Sequence, residues 1–307
     1  MSPATAPASL ADHGNQGIKS PWLRRMAWAS MLANIVIIGT GGAVRLTGSG
    51  LGCPTWPLCT PGSLLPTEEL TWHSAVEFGN RLMTGVLSVL ALAVLILVWR
   101  YRKQRPDLFA LAWVMLAGVL AQAVVGGIIV ITGLNPLIVG FHYFASILMV
   151  TVGTVFVMRM TQAPGPRVKV VKDSIWLTTT LIAVLSVATI FVGIITTGVG
   201  PHSGDANVQR TGIDAQLLAH MHAWPGYALL TVTVIGLILA YATNASTRKF
   251  FAALLVLQLV QVAIGIYQAN FGLPPIAVGA HMVLAAILAS ITTAMIVRSS
   301  KPHSLAD

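Results

Sequence analysis

The stretch QAVVGGIIVITGLNPLIVGFH (122–142) returns 139 residues later as QVAIGIYQANFGLPPIAVGAH (261–281). The register has no gap, and 8 of the 21 positions are identical: Gln122/Gln261, Gly126/Gly265, Gly133/Gly272, Leu134/Leu273, Pro136/Pro275, Val139/Val278, Gly140/Gly279 and His142/His281. Apolar composition explains matched valines; it does not put Gln, Pro and His in step. A weaker match pairs TGSG (47–50) with TGVG (197–200). The chain is an internal repeat, and the repeat sets its architecture.

Both copies sit in strongly apolar surroundings. Of the 307 residues, 55% are hydrophobic and 9% charged, with a mean hydropathy of +0.79. Soluble domains carry about 25% charge, so a soluble globular chain is excluded. Apolar spans long enough to cross a bilayer lie near 25–45, 75–99, 108–131, 138–159, 175–197, 217–242, 249–269 and 277–297. Four spans per half give both halves one orientation, which puts the repeat axis along the membrane normal. The predicted fold is all-α integral membrane: eight transmembrane helices in two tandem four-helix bundles related by a pseudo-twofold axis. The divisions are a disordered cytoplasmic tail (1–24), an N-terminal half (25–160), a cytoplasmic linker (161–174), a C-terminal half (175–298) and a second cytoplasmic tail (299–307).

The net charge of +9 and pI near 10.1 first suggest nucleic acid. No basic patch is interleaved with aromatics as that binding requires. Instead, 15 of the 18 basic residues fall in the tails and in the loops after spans two, four and six; only Arg45, Arg81 and Arg210 fall on the other side. The positive-inside rule then places both termini in the cytoplasm. No cleavable signal peptide is evident, because the first apolar span is long, and Arg24-Arg25 reads as topology charge.

Five of the eight histidines, His73, His142, His220, His222 and His281, fall at or near the outer ends of spans two, four, six and eight. A lone histidine at a helix end is usually a satisfied polar residue. Here His142 and His281 are repeat equivalents, and each calls for a partner on the neighbouring even helix. Two imidazoles converging from facing helices suit a non-covalent b-type haem, whose apolar edge tolerates the bilayer. Zinc would require further Cys, His or carboxylate ligands, and no CxxCH is present for covalent attachment. Aligning HAWPGY (222–227) with NRLMTG (80–85) sets His222 opposite Asn80. His220 lies about 200° away around the helix, so one of the two faces the haem: His222 is favoured, His220 the alternative. In the first half Asn80 is a poor iron ligand. His73 lies on roughly the same face but about 10 Å nearer the outer surface, and is a candidate substitute.

The halves therefore differ chemically. The second reads as a bis-histidine electron-transfer site. The first holds His142 with Glu77 and Arg81, and Glu77 is the only acidic residue inside the predicted spans. An intrahelical i,i+4 ion pair is the bland reading; acid/base or electrostatic work beside a bound substrate is the sharper one. The two cysteines, Cys53 and Cys59, share the outer loop LGCPTWPLCTPG, where a disulfide is expected, either structural or, above the first-half site, redox-active or part of a lid.

Taken together, TGSGLGCPTWPLC, EFGNR and the histidines opening spans four, six and eight resemble the haem A synthase family over residues 25–298. The resemblance implies oxidation of the C8 methyl of haem O, through successive hydroxylations and loss of water, to the formyl group of haem A, the cofactor of cytochrome oxidase. It makes Glu77 the essential glutamate of the family's E-x-x-H-R motif, His142 the first-half histidine of the substrate-haem site, and His222 and His281 the axial ligands of a retained haem b that relays electrons. Cys53 and Cys59 match an outer-loop pair found in a subset of the family. Asn80 departs from the histidine of most members, as in the variant of high-GC Gram-positive bacteria, and leaves His142 as the one clear ligand of the substrate haem. The resemblance further implies a bacterial plasma-membrane location with haem sites toward the outer side. Haem O synthase and cytochrome oxidase assembly factors are the implied partners, with membrane lipid and an electron donor the sequence does not identify; homo-oligomerisation stays open. A di-haem electron-transfer cytochrome is the first alternative, disfavoured by the asymmetric halves. A haem transporter or chaperone is the second, disfavoured by the bis-histidine pair.

Overall fold

The computed structural model describes residues 17–66, 71–200, 202, 204–205 and 214–302. Among these it contains helices α1 Pro21–Leu46, α2 Trp72–Trp99, α3 Pro106–Ile131, α4 Pro136–Met160, α5 Asp173–Val199, α6 Ala215–Ala242, α7 Arg248–Asn270 and α8 Pro275–Arg298. All eight are long and apolar enough to cross a membrane, and their outward faces carry exposed side chains such as Val89, Ile96, Val184 and Ile238. The chain is a multi-pass membrane protein. His13, Arg210, His303 and most of the N-terminal tail lie outside the described residues. The helical start corrects the tail boundary: α1 begins at Pro21, inside the expected tail, because Ser20 accepts a cap bond from Leu23 N–H and proline suits the first helical position.

Helix α1 packs on α2 and α4, and α3 closes the ring against both; α5 packs on α6 and α8, and α7 closes that ring. Each ring has its own buried apolar cluster, around Leu108, Met115 and Phe156 in one and Ile182, Phe251 and Met295 in the other. A third cluster, Ile38, Ile147, Val150 and Ala286, lies where α1, α4 and α8 meet.

The repeated GLxP segment is a turn. Gly133 and Leu134 adopt φ of 63° and 63°, and Gly272 and Leu273 adopt 70° and 58°. Left-handed leucine is unfavourable, yet both copies use it. Each leucine N–H returns to a carbonyl five residues back, Ile129 at 2.8 Å and Gln268 at 3.0 Å. Proline then starts the next helix, and His142 and His281 each become its seventh residue.

Two details depart from the sequence reading. The linker forms β1 (Arg167–Lys169), antiparallel to β2 (Ser300–Pro302), because Arg167 donates to the Ser300 carbonyl at 3.0 Å and the Val297 carbonyl at 3.3 Å. Asp107 and Asp173 fall in the first turns of α3 and α5, where the helix dipole favours a carboxylate.

Candidate functional site

Helix α2 opens at the Thr71 cap, and one turn further its inner face carries Glu77, only 5% exposed. The Glu77–Arg81 pair forms, with Arg81 Nη2 donating to Oε1 at 2.6 Å. It is more than an intrahelical pair. The Cys53 N–H donates to Glu77 Oε2 at 2.7 Å, and Arg81 donates to the carbonyls of Cys53 (2.8 Å), Thr55 (2.9 Å) and Leu58 (3.2 Å). Glu77 and Arg81 thus grip the backbone of the outer loop, which the Cys53–Cys59 disulfide closes. The cost of burying the carboxylate is offset by donors on both oxygens.

Below this loop is a cavity of about 470 Å³, within the range of cofactor and ligand pockets, about 300–1,000 Å³. Glu77, Asn80, Arg81 and His142 line it together, under Trp56 and Pro57 of the loop. The Trp56 ring lies flat on Gly127 of α3, where a Cβ would fall 2.5 Å from it. Asn80 Oδ1 accepts from Thr40 Oγ1 at 2.7 Å. His142 Nδ1 is buried with no hydrogen-bond partner. His73 is not among the lining residues; its Nδ1 pairs with Ser49 Oγ at 2.9 Å and its ring rests on Trp72.

In the second ring His222 and His281 face each other with ring centres 6.0 Å apart and planes at 73°. His222 Nδ1 lies 3.0 Å from the Thr189 carbonyl. A carbonyl only accepts, so Nδ1 carries the proton and Nε2 keeps a free lone pair. His281 Nδ1 is buried and unpartnered, as at His142. His220 is exposed, with Nδ1 on the Gln216 carbonyl of its own helix; the structure brings His222, not His220, to His281.

The donor set fits a haem. Among the described residues no group of three or more His, Cys, Asp or Glu is placed to hold a metal ion. Two imidazoles suffice where a porphyrin supplies the other ligands. Imidazoles flanking one metal at about 2 Å each hold their ring centres about 6 Å apart, as observed. Gly193 makes room for the pair: a Cβ there would lie 2.8 Å from His222 Cε1. Overpacking of this kind costs about 1–3 kcal/mol. Gly193→Ala is therefore expected to weaken haem retention roughly 5- to 150-fold, measured as low-spin absorbance surviving dilution in detergent. Unchanged retention would mean that the ring has room to spare.

Four residues carried no role in the sequence reading. Gln122 Nε2 donates to the His142 carbonyl at 2.9 Å, and Gln261 Nε2 to the His281 carbonyl at 3.1 Å. Their identity in the repeat was the available signal. Tyr143 Oη donates to the Met282 carbonyl at 3.0 Å and ties α4 to α8. Arg45, at the end of α1, lines the first-half cavity.

The cytochrome oxidase assembly protein family (COX15-CtaA) matches residues 24–201, more than half of the chain. Among curated proteins, the chain is similar to Heme A synthase of Listeria welshimeri serovar 6b, 32% identical over 120 residues, 39% of either chain. It is similar to Heme A synthase of Geobacillus thermodenitrificans, 32% identical over 123 residues, 40% of this chain and 38% of the relative. With Heme A synthase of Shouchella clausii it shares 31% over 136 residues, 42% of this chain and 44% of the relative. Each match spans about two fifths of the relative's own length. His222 and His281 lie beyond the family match.

Proposed function

We propose, from the premise that this chain belongs to the COX15-CtaA family of cytochrome oxidase assembly proteins, that it acts as a haem A synthase. It oxidises the C8 methyl of haem O to the formyl group of haem A. The observation that carries this reading is the asymmetry of the repeat. One ring has two imidazoles 6.0 Å apart. The other has a single imidazole on a cavity shared with a buried carboxylate.

The first-half cavity receives haem O as substrate. His142 is its iron ligand. Gln122, bonded to the His142 carbonyl and to Ser146 Oγ at 2.7 Å, fixes that turn of α4. Asn80 offers its side-chain amide rather than a second imidazole. Trp56 and Pro57 line the cavity on the loop side. Glu77 is the catalytic carboxylate. Arg81 and the Cys53 N–H hold it in place, so its charge is positioned to stabilise developing positive charge or its Oε2 to accept a proton once the loop N–H releases it.

His222 and His281 hold haem b, which when bound supplies one-electron transfer. Thr189 fixes the His222 tautomer, and Gly193 leaves its ring room. On this reading the protein spans a bacterial plasma membrane with both termini cytoplasmic and the haem sites outward. Two features support this orientation: the disulfide loop covers the cavity, and Arg100, Arg102, Lys103, Arg159 and Arg248 cluster at the opposite helix ends.

Co-expression with a haem O source, followed by pigment extraction and pyridine haemochrome spectra, tests the reading. Haem A is expected only with active protein. Haem O recovered unaltered, with haem b bound, would instead support a transporter or an electron-transfer cytochrome.

A further inference from the structure

Among the described residues, Arg45 is a charge without a counter-ion. It sits in the last turn of α1 and lines the first-half cavity. Nε donates to the His202 carbonyl at 2.6 Å and Nη2 to the Thr197 carbonyl at 2.5 Å. The third nitrogen, Nη1, makes no hydrogen bond among the described residues, and no described carboxylate lies within ion-pair distance of the guanidinium. The other cation of the cavity differs: Arg81 is neutralised by Glu77, and both of its terminal nitrogens are bonded to loop carbonyls. The described cavity lining thus carries one surplus positive charge.

Holding an unpaired cation in a membrane span is costly. A guanidinium braced by two backbone carbonyls loses little freedom on binding an anion, and its planar fork suits a carboxylate. The position suits an amphipathic ligand. Arg45 is one residue from the end of its helix, near the membrane surface, whereas His142 is seven residues into α4. A macrocycle on His142 with its acidic edge turned toward the surface would bring that edge to Arg45.

We infer that Arg45 is a binding residue for a carboxylate on the cavity's ligand, one propionate of a tetrapyrrole, and that it sets the ligand's orientation in the plane of the ring. The inference rests on the proposed haem reading and adds what recognises the substrate's acidic edge. The Thr197 carbonyl belongs to the last turn of α5 and the His202 carbonyl lies three residues beyond that helix, so Arg45 also latches the end of α5 to α1. The latch alone is the competing explanation, and the chemistry of the ligand separates the two.

The test uses the purified full-length protein in detergent, loaded with its low-spin haem and titrated with haemin or haemin dimethyl ester. Binding is followed by Soret difference absorbance, with His142→Ala as background. Wild type is expected to bind the free acid about 10- to 100-fold more tightly than the ester, the range of a charge-assisted hydrogen bond. Arg45→Gln is expected to lose this preference by weakening the acid far more than the ester, and Arg45→Lys to keep part of it. Equal affinity of wild type for acid and ester overturns the inference without need of a variant. So does an Arg45→Gln protein that binds both forms equally more weakly, which is the signature of a latch. A wild type that prefers the acid yet converts no haem O sinks the haem A synthase reading and leaves Arg45 in place; conversion without preference does the reverse.

Discussion

His281→Ala protein, purified in detergent, is expected to lose the low-spin haem spectrum almost completely, with the reduced α band falling at least tenfold. On the proposed reading, two imidazoles 6.0 Å apart act as one ligand set. Removing one opens a coordination position and leaves a void beside Gly265, whose Cβ direction points at the His281 ring from 3.9 Å. His222→Ala should behave alike. His220→Ala should keep the spectrum, because that ring is exposed and bonded to its own helix. Reduced-minus-oxidised absorbance decides the matter; a full α band in His281→Ala would refute the ligand assignment.

The second large effect is at Glu77. Glu77→Gln is expected to lower haem A formation by at least about 100-fold, the scale of a lost acid/base or charge-stabilising group, with the haem b spectrum unchanged. Glutamine matches Glu77 in shape but brings an NH₂ to a place where the Arg81 and Cys53 donors already point. One donor pair must separate, so the loop is loosened as well. The rate at which a thiol reductant opens Cys53–Cys59 reports that loosening. Lost activity with an unchanged reduction rate assigns the effect to the charge; lost activity with a much faster rate assigns it to the loop anchor. Normal haem A output from this variant would end the catalytic role of Glu77.

Much of this was legible in the chain itself, for identifiable reasons. The spans are legible because lipid exposure demands unbroken apolarity, and His142 and His281 because identity at an offset of 139 survives where composition alone would blur. The Cys53–Cys59 bond followed from two cysteines six residues apart in one loop. Helix phase showed that His220 and His222 could not share one target, but choosing between them needed the path of α5, which places the Thr189 carbonyl and Gly193 beside His222. Glu77 stood out as an intramembrane acid. Its bond to Cys53 N–H was hidden, because a proline-rich loop has no periodicity to extrapolate. Arg45 reads in sequence as one more basic residue near a helix end; its partners lie more than 150 positions away, beyond any local pattern. His73 seemed free to approach the iron only because Ser49, its partner, comes from another helix end.

The side-chain ties between helices also have a mechanical consequence. Thr40–Asn80 staples α1 to α2, and Gln122 staples α3 to α4 at the His142 carbonyl. The first half is therefore two stiff hairpins rather than four independent rods. Two seams separate the hairpins, α2–α3 and α1–α4; the second is packed against α8, which leaves the first as the flank that faces away from the other half. Trp56, hung from the disulfide loop and resting on Gly127 of α3, bridges the first of these seams like a clasp.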